Sequence, residues 1–225
     1  YAYRSPEYVK DVGTVDRIRA AEEEWKSGFP AKRNLEFPQR AVFLDRDGVI
    51  NRYNGFVRTP DELELLPEAA EGLRRLNSSA YLTIVVSNQP VVARGETSEA
   101  ELATIFNKMK TLLGREGAFV DDVFYCPHHP DSGFPGEVKE LKIDCDCRKP
   151  KTGMLRRAAE RYHLDLSACY LVGDTTGDIQ CGKNAGVRTV LVKTGEAGRD
   201  GKYAVTPDLV ADDLATAATK ILEEQ

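Results

Sequence analysis

No apolar run in this 225-residue chain approaches the roughly 20 residues that a helix needs to cross a bilayer. The opening residues, YAYRSPEYVK, lack the charged start and apolar middle of a secretory signal. A long basic run is missing too: 31 Lys and Arg stand against 36 Asp and Glu, a net charge of −5, which leaves no electrostatic footprint for nucleic acid. Internal repeats and low-complexity segments are absent. The expectation is a soluble, cytoplasmic protein with neither a nucleic-acid nor a membrane partner. The chain also lacks an initiating Met and opens in mid-pattern, as the C-terminal part of a longer polypeptide would. Its five cysteines, Cys126, Cys145, Cys147, Cys169 and Cys181, form an odd set, and those near histidines point to metal binding rather than to a disulfide scaffold.

What is present reads as one large domain behind an extension. Residues 1–39 are polar and helix-prone, with Thr14 placed to cap a helix through Ile18, Ala21 and Trp25 before Gly28 and Pro30. From Arg40 the pattern changes. Short apolar runs at 41–45, 81–87, 122–126, 169–173 and 187–192 have the length and composition of strands buried on both faces of a parallel sheet. Helices are expected around 68–76, from a Ser98/Glu101 capping box through Leu112, at 154–162, and at 208–222. Alternation of this kind predicts an α/β domain, a doubly wound, Rossmann-like parallel sheet, over residues 40–225.

In such sheets ligands bind beyond the carboxyl ends of the strands, where Asp45, Asp47, Ser87 and Asp174 are expected to converge. LDRDGVIN (44–51) sets two carboxylates two residues apart after a buried strand, with Gly48 permitting a tight turn. Together with Asp174 they supply the hard oxygen ligands that Mg²⁺ prefers. One carboxylate attacking phosphorus while its neighbour handles a proton would split phosphate hydrolysis into two easier steps.

DRDG at 45–48, Ser87 in VVSN, Lys149 before Pro150, and GDTTGD at 173–178 resemble the four ordered motifs of the haloacid dehalogenase superfamily. The resemblance implies Asp45 as nucleophile and Asp47 as general acid and base. It implies Mg²⁺ held by Asp45, the backbone carbonyl of Asp47, and Asp174, with Asp178 as an outer carboxylate. Ser87 and Lys149 would then place a hydroxyl and a fixed positive charge against the transferring phosphoryl group.

Cys126, His128, Cys145 and Cys147 have the spacing C-x-H, sixteen residues, C-x-C, which suits a closed tetrahedral Zn²⁺ site with a structural role. His129 is the alternative to His128. The loop 126–147 between the two pairs is polar and rich in Gly and Pro, so a metal clip would supply its order. His163, Cys169 and Cys181 fall on expected helix or strand positions and read as packing residues.

CPHHP followed by CDCRKP and the pair Gly153-Met154 is similar to one branch of that superfamily, the D-glycero-D-manno-heptose 1,7-bisphosphate 7-phosphatases and their histidinol-phosphatase relatives. This resemblance favours His128 as the ligand and implies a minimal cap and a sugar-phosphate substrate. It gives Arg148 a part in substrate recognition and Lys149 a part in phosphoryl stabilisation. Arg46, the loop of Tyr53, Asn54, Gly55 and Phe56, and the run of Ser87, Asn88 and Gln89 align with substrate-contacting positions. Two departures stand out. Thr175 replaces a Lys usual in the branch, and Pro90 removes a backbone N–H that could hold a phosphate oxygen.

Residues 3–22, YRSPEYVKDVGTVDRIRAAE, are similar to the end of sugar-phosphate nucleotidyltransferase domains, a resemblance that implies a fused partner domain. The leading expectation is thus a heptose-bisphosphate phosphatase. Histidinol-phosphate hydrolysis and a degenerate module serving as a docking partner are the alternatives.

Overall fold

The structure, a computed structural model, describes residues 7–26 and 28–224. Residues 3–6 of the segment compared above with nucleotidyltransferases lie outside them. The N-terminal helix α1 (Val15–Lys26) starts at Thr14, whose hydroxyl accepts the Arg17 N–H, and it has no buried residue. Past it, Arg33 anchors the chain, bonding Asp121 at 3.1 Å and the Tyr81 carbonyl at 3.0 Å.

Strands β1 (Arg40–Leu44), β2 (Tyr81–Asn88), β3 (Asp122–Cys126), β4 (Tyr170–Gly173), β5 (Arg188–Val192) and β6 (Leu209–Ala211) form one parallel sheet in the order β3-β2-β1-β4-β5-β6. The helices that follow α1 are α2 (Ala69–Asn77), α3 (Pro90–Ala93), α4 (Glu99–Arg115), α5 (Gly153–Tyr162), α6 (Thr176–Ala185) and α7 (Leu214–Glu223). Side chains alternate between the faces of a strand, so β1 divides its residues between two cores. Val42 and Leu44 pack with Leu73 of α2, Ile105 of α4 and Ile221 of α7. Ala41 and Phe43 pack on the other face with Met154 and Ala158 of α5 and Cys181 of α6. The result is a three-layer, doubly wound α/β domain. Between β1 and α2 the only regular element is a 3-10 turn, Pro60–Glu62, so no cap domain is inserted there.

The five expected strands are present, and the Ser98/Glu101 capping box opens α4 as read. Three expectations are corrected. Residues 208–222 are not one helix: the Asp208 carboxylate accepts the Thr189 N–H and hydroxyl, pinning the segment to β5 as a sixth strand, and Asp213 caps α7 anew. Helix α6 was not anticipated, because Gly177, Gly182 and polar residues leave it little apolar periodicity. His163 does not pack; it ends α5 in the left-handed conformation, exposed, with its Nδ1 3.0 Å from the Leu35 carbonyl. Cys169 and Cys181 are core residues.

Candidate active site

The strand order reverses at β1, which has β2 on one side and β4 on the other, so a crevice opens beyond their carboxyl ends. Asp45 follows β1, and its N–H donates to the Val172 carbonyl of β4 at 2.9 Å. Asp174 follows β4, and Asp178 lies in the first turn of α6. Lys149 enters from the segment before α5, its ammonium 3.0 Å from Asp45 Oδ1 and 2.6 Å from Asp178 Oδ1. Asn88, the last residue of β2, fixes the Lys149 backbone from both sides: it accepts the Lys149 N–H at 3.0 Å and donates to the Lys149 carbonyl at 3.2 Å.

One carboxylate oxygen from each of Asp45, Asp174 and Asp178 lies within 4.8 Å of the others. Three carboxylates against one ammonium leave a deficit of two charges. Burial, then the neighbouring Asp178 and Asp45 carboxylates, push Asp174 up to about 8. Burial raises Asp45 to about 6, with Asp178 and Asp47 adding to the effect and Lys149 opposing it. Burial alone would lower the Lys149 ammonium, yet Asp178 and Asp45 hold it above its usual value. Hard oxygen donors with an uncompensated charge of two fit a divalent cation such as Mg²⁺. Asp178 has least to offer that cation, since Lys149 takes one of its oxygens and the Thr175 N–H and hydroxyl take the other.

Backbone shape makes room for this cluster. Gly48 and Gly195, at φ of 79° and 60°, close around the Asp174 carboxylate so tightly that a Cβ on either would overlap its Oδ2. The Glu196 N–H donates to that same oxygen at 2.7 Å.

Asp47 is turned differently. Its carboxylate receives Arg46 Nε and Nη2 at 2.8 to 3.1 Å, Asn51 Nδ2 at 2.9 Å and Gln89 Nε2 at 3.0 Å. Arg46 is fully buried, with its guanidinium over the Phe106 ring. The expectation that Arg46 touches substrate is therefore corrected. It positions Asp47 from behind.

A cavity of about 520 Å³ lies over the cluster, lined by Asp45, Asp47, Lys149, Asp174 and Asp178. That size and place suit a small phosphorylated ligand.

The comparisons with known proteins point the same way. Residues 146–217 match the family described as HAD-hydrolase-like. The D-glycero-beta-D-manno-heptose-1,7-bisphosphate 7-phosphatase of Salmonella typhi is 41% identical over 82% of this chain and 96% of its own length. The D-glycero-alpha-D-manno-heptose-1,7-bisphosphate 7-phosphatase of Photorhabdus laumondii is 38% identical over 69% of this chain and 84% of its own. A crystal structure of D,D-heptose 1,7-bisphosphate phosphatase from B. bronchiseptica, complexed with magnesium and phosphate, superposes with a TM-score of 0.72. It is 36% identical and covers 83% of this chain and 100% of that one. The chain belongs to the HAD-like hydrolases, among the phosphatases.

In this phosphatase Tyr53, Phe56, Asn88 and Arg148 line the cavity along with the acids and Lys149. Asn54 and Gly55 are exposed and do not line it. Ser87 and Gln89 are buried beneath it, linked to Asp47 by Gln89 Nε2, which donates to Ser87 Oγ at 2.8 Å and to Asp47. The two departures have local explanations. Thr175 caps α6, accepting the Asp178 N–H at 3.2 Å, and Pro90 is the first residue of α3, where an N–H has no helical partner. Sequence reasoning missed Arg94, Glu196, Asp200, Lys202 and Tyr203, which also line the cavity. No motif marks them. Asp200 and Tyr203 are brought in by bonds to Thr176, across 24 and 27 residues of chain.

The second cluster lies beside the first. Cys126 ends β3, and Cys147 immediately precedes Arg148 and Lys149. Among Cys126, Cys145 and Cys147 Sγ and His128 Nδ1, neighbouring donors are 3.2 to 3.7 Å apart. Tetrahedral Zn–S bonds of roughly 2.3 Å imply edges of about 3.8 Å, so the donor set fits Zn²⁺. His129 faces elsewhere: it lines the cavity, and its Nδ1 accepts the Asp131 N–H at 3.2 Å.

Proposed function

We propose that this phosphatase removes the 7-phosphate of D-glycero-D-manno-heptose 1,7-bisphosphate through an aspartyl-phosphate on Asp45. The observation that carries the reading is Asp45 itself. It is a carboxylate at the strand-order reversal, 3.0 Å from a buried ammonium, at the base of a cavity large enough for a bisphosphorylated sugar. The relatives named above, one for each anomer, supply the substrate class.

Asp45 Oδ attacks phosphorus and the bond to the sugar oxygen breaks, with Asp47 giving that oxygen its proton. Asp47, then ionised, takes a proton from water. The water oxygen attacks the same phosphorus, releasing inorganic phosphate and restoring Asp45. Arg46, Asn51 and Gln89 hold the Asp47 carboxyl in place for both proton steps. Lys149 stays charged and stabilises the phosphoryl oxygens. Mg²⁺, held by Asp45, Asp174 and the Asp47 carbonyl, would neutralise the phosphoryl charge. Zn²⁺ on Cys126, His128, Cys145 and Cys147 would fix the loop 126–147 and, through it, the start of the Arg148-Lys149 pair.

The same reading takes residues 1–39 as an extension to a phosphatase domain over 40–225, and its source as a fused nucleotidyltransferase; an α1 without buried residues supports the first part. Five free cysteines support a reducing, cytoplasmic setting.

The test is phosphate release with Mg²⁺ from both heptose bisphosphate anomers and from histidinol phosphate. One bisphosphate anomer is expected to be preferred over histidinol phosphate by about two orders of magnitude or more in kcat/KM, and Asp45→Asn to lower kcat by about four orders or more. Equal rates on histidinol phosphate would overturn the substrate, and an active Asp45→Asn protein the mechanism.

A further inference from the structure

The loop between β5 and β6 is fastened to the site at several points, yet phosphoryl transfer on Asp45 uses none of its side chains. Thr194 Oγ1 donates to the Gly48 carbonyl at 2.6 Å, and the Glu196 N–H to Asp174 Oδ2 at 2.7 Å. The Gly198 N–H donates to the Asp174 carbonyl, also at 2.7 Å. Reaching two oxygens of one residue from positions two apart takes a tight coil. Gly195, Ala197 and Gly198 all have left-handed backbones, at φ of 60°, 51° and 74°. Ala197 adopts this state against the steric preference of a residue with a Cβ. Among the described non-glycine residues only His163, at the end of α5, shares it. The coil delivers Glu196 to the cavity wall.

Six carboxylates line the cavity, and five of them receive donors. Asp45 and Asp178 pair with Lys149, Asp47 with Arg46, and Asp174 accepts the Glu196 N–H. Asp200 accepts both the N–H and the hydroxyl of Thr176, each at 2.7 Å. The Glu196 carboxylate, half-buried, has no hydrogen bond or ion pair among the described residues. It also stands outside the group of Asp45, Asp174 and Asp178, whose oxygens converge, so it is not a further ligand for the cation they would hold. A phosphate cannot be its partner, because like charges repel. Neutral hydroxyl groups can: an ionised carboxylate accepts several O–H donors at once, in charge-assisted bonds. Tyr53 offers a hydroxyl on the same side. Burial, then the Glu196 carboxylate, then those of Asp174 and Asp47, hold its phenol above the usual value.

We propose that Glu196, aimed by the left-handed turn at Ala197 and with Tyr53 beside it, accepts hydroxyl groups of the sugar and selects polyol phosphates over phosphomonoesters that lack hydroxyls. This rests on the sugar-phosphate reading above. Glu196 is then a specificity-determining residue with two duties. Its N–H holds an oxygen of Asp174 while its side chain holds the sugar, so a single residue sets the register between the acidic cluster and the substrate.

The test compares heptose 1,7-bisphosphate with 4-nitrophenyl phosphate, which carries no free hydroxyl on carbon, in wild type, Glu196→Gln and Glu196→Ala, each across a Mg²⁺ titration. For Glu196→Ala, KM for the bisphosphate is expected to rise roughly 30-fold, the loss of charge-assisted hydrogen bonds, with little change in kcat. The parameters for 4-nitrophenyl phosphate and the Mg²⁺ requirement are expected to stay near wild type, because the N–H to Asp174 remains. Glu196→Gln keeps an acceptor without the charge and should lose less. An unchanged KM for the bisphosphate in Glu196→Ala would overturn the proposal. So would equal losses on both substrates or a raised Mg²⁺ requirement, since Glu196 would then act through Asp174. Wild-type protein that hydrolyses histidinol phosphate as well as the bisphosphate would instead overturn the substrate reading, and that result needs no variant. Unchanged melting temperatures would separate each loss from misfolding.

Discussion

The acidic cluster at the sheet edge and the Cys/His cluster on the loop 126–147 both offer donor sets that fit a metal, and they are assembled by opposite routes. Asp45 and Asp174 stand on adjacent, hydrogen-bonded parallel strands, and Asp178 is fixed by the cap of α6. Their positions are consequences of the packed core of the sheet. The loop has one short 3-10 turn, Lys139–Leu141, as its regular structure between Cys126 and Cys147, and most of its residues are exposed or half-buried. Four donors meet at its two ends, and a few hydrogen bonds tie it to α3 and within itself. A scaffold held by burial can tolerate three like charges in one place. A loop with little to bury needs its ligand to be ordered.

Among changes that test this contrast, the largest expected effect attacks the scaffold side. Gly48→Ala places a Cβ inside the Asp174 carboxylate at a backbone angle of φ 79°. The displaced carboxylate should lower kcat/KM by about 100-fold, because shifts of an ångström cost that much in an oriented site. The left-handed strain should cost roughly 1–2 kcal/mol of stability, read by denaturant titration. Zinc content should stay unchanged. Loss of zinc in Gly48→Ala would mean that the two clusters are not independent.

Next in size is the loop. Cys145→Ser should abolish stoichiometric zinc and raise hydrogen exchange at residues 127–146. It should increase KM for the bisphosphate about tenfold, as expected when one charge-assisted contact is lost. The amides of β1 and β4 should remain protected. Exchange spreading into those strands would show the clip to be a global rather than a local constraint.

The smallest effect separates the clusters by pH. In the metal-free protein Asp45 is raised to about 6 and Asp174 to about 8, both from 3.8. A carboxyl raised on folding binds protons in the native state. Its favourable contribution is complete below about pH 4 and is lost as pH climbs through about 6 to 8. The melting temperature without Mg²⁺ should therefore fall by a few degrees between about pH 5 and pH 8. Added Mg²⁺ should restore more at pH 8 than at pH 5. A Mg²⁺ effect independent of pH would show that the acids are neutralised in some other way.

Much of this was legible in the order of residues. Five buried strands announce themselves as short apolar runs because both faces of a parallel sheet are covered. The acids at their ends are conspicuous because no core could take them. The sixth strand was illegible: Leu209–Ala211 has only three residues, and it is the Asp208–Thr189 bonds, formed across the chain, that make it a strand. Arg46 looked like a substrate contact by resemblance, yet its side chain turns inward to Asp47 and Phe106. Arg94, which lines the cavity, carried no signal, since the two rings beside it, Phe56 and Phe134, come from 38 residues before it and 40 after it.

By itself the sequence determined the chemistry available: a strand-borne aspartate pair, a later acid, a lysine, and two close pairs of soft ligands. These are choices of residue type and local spacing, which the chain carries directly. The tertiary structure alone decided which charges are paired and which are left facing the cavity. Pairing depends on burial and on the meeting of distant segments, and those follow from packing the whole chain rather than from any stretch of it.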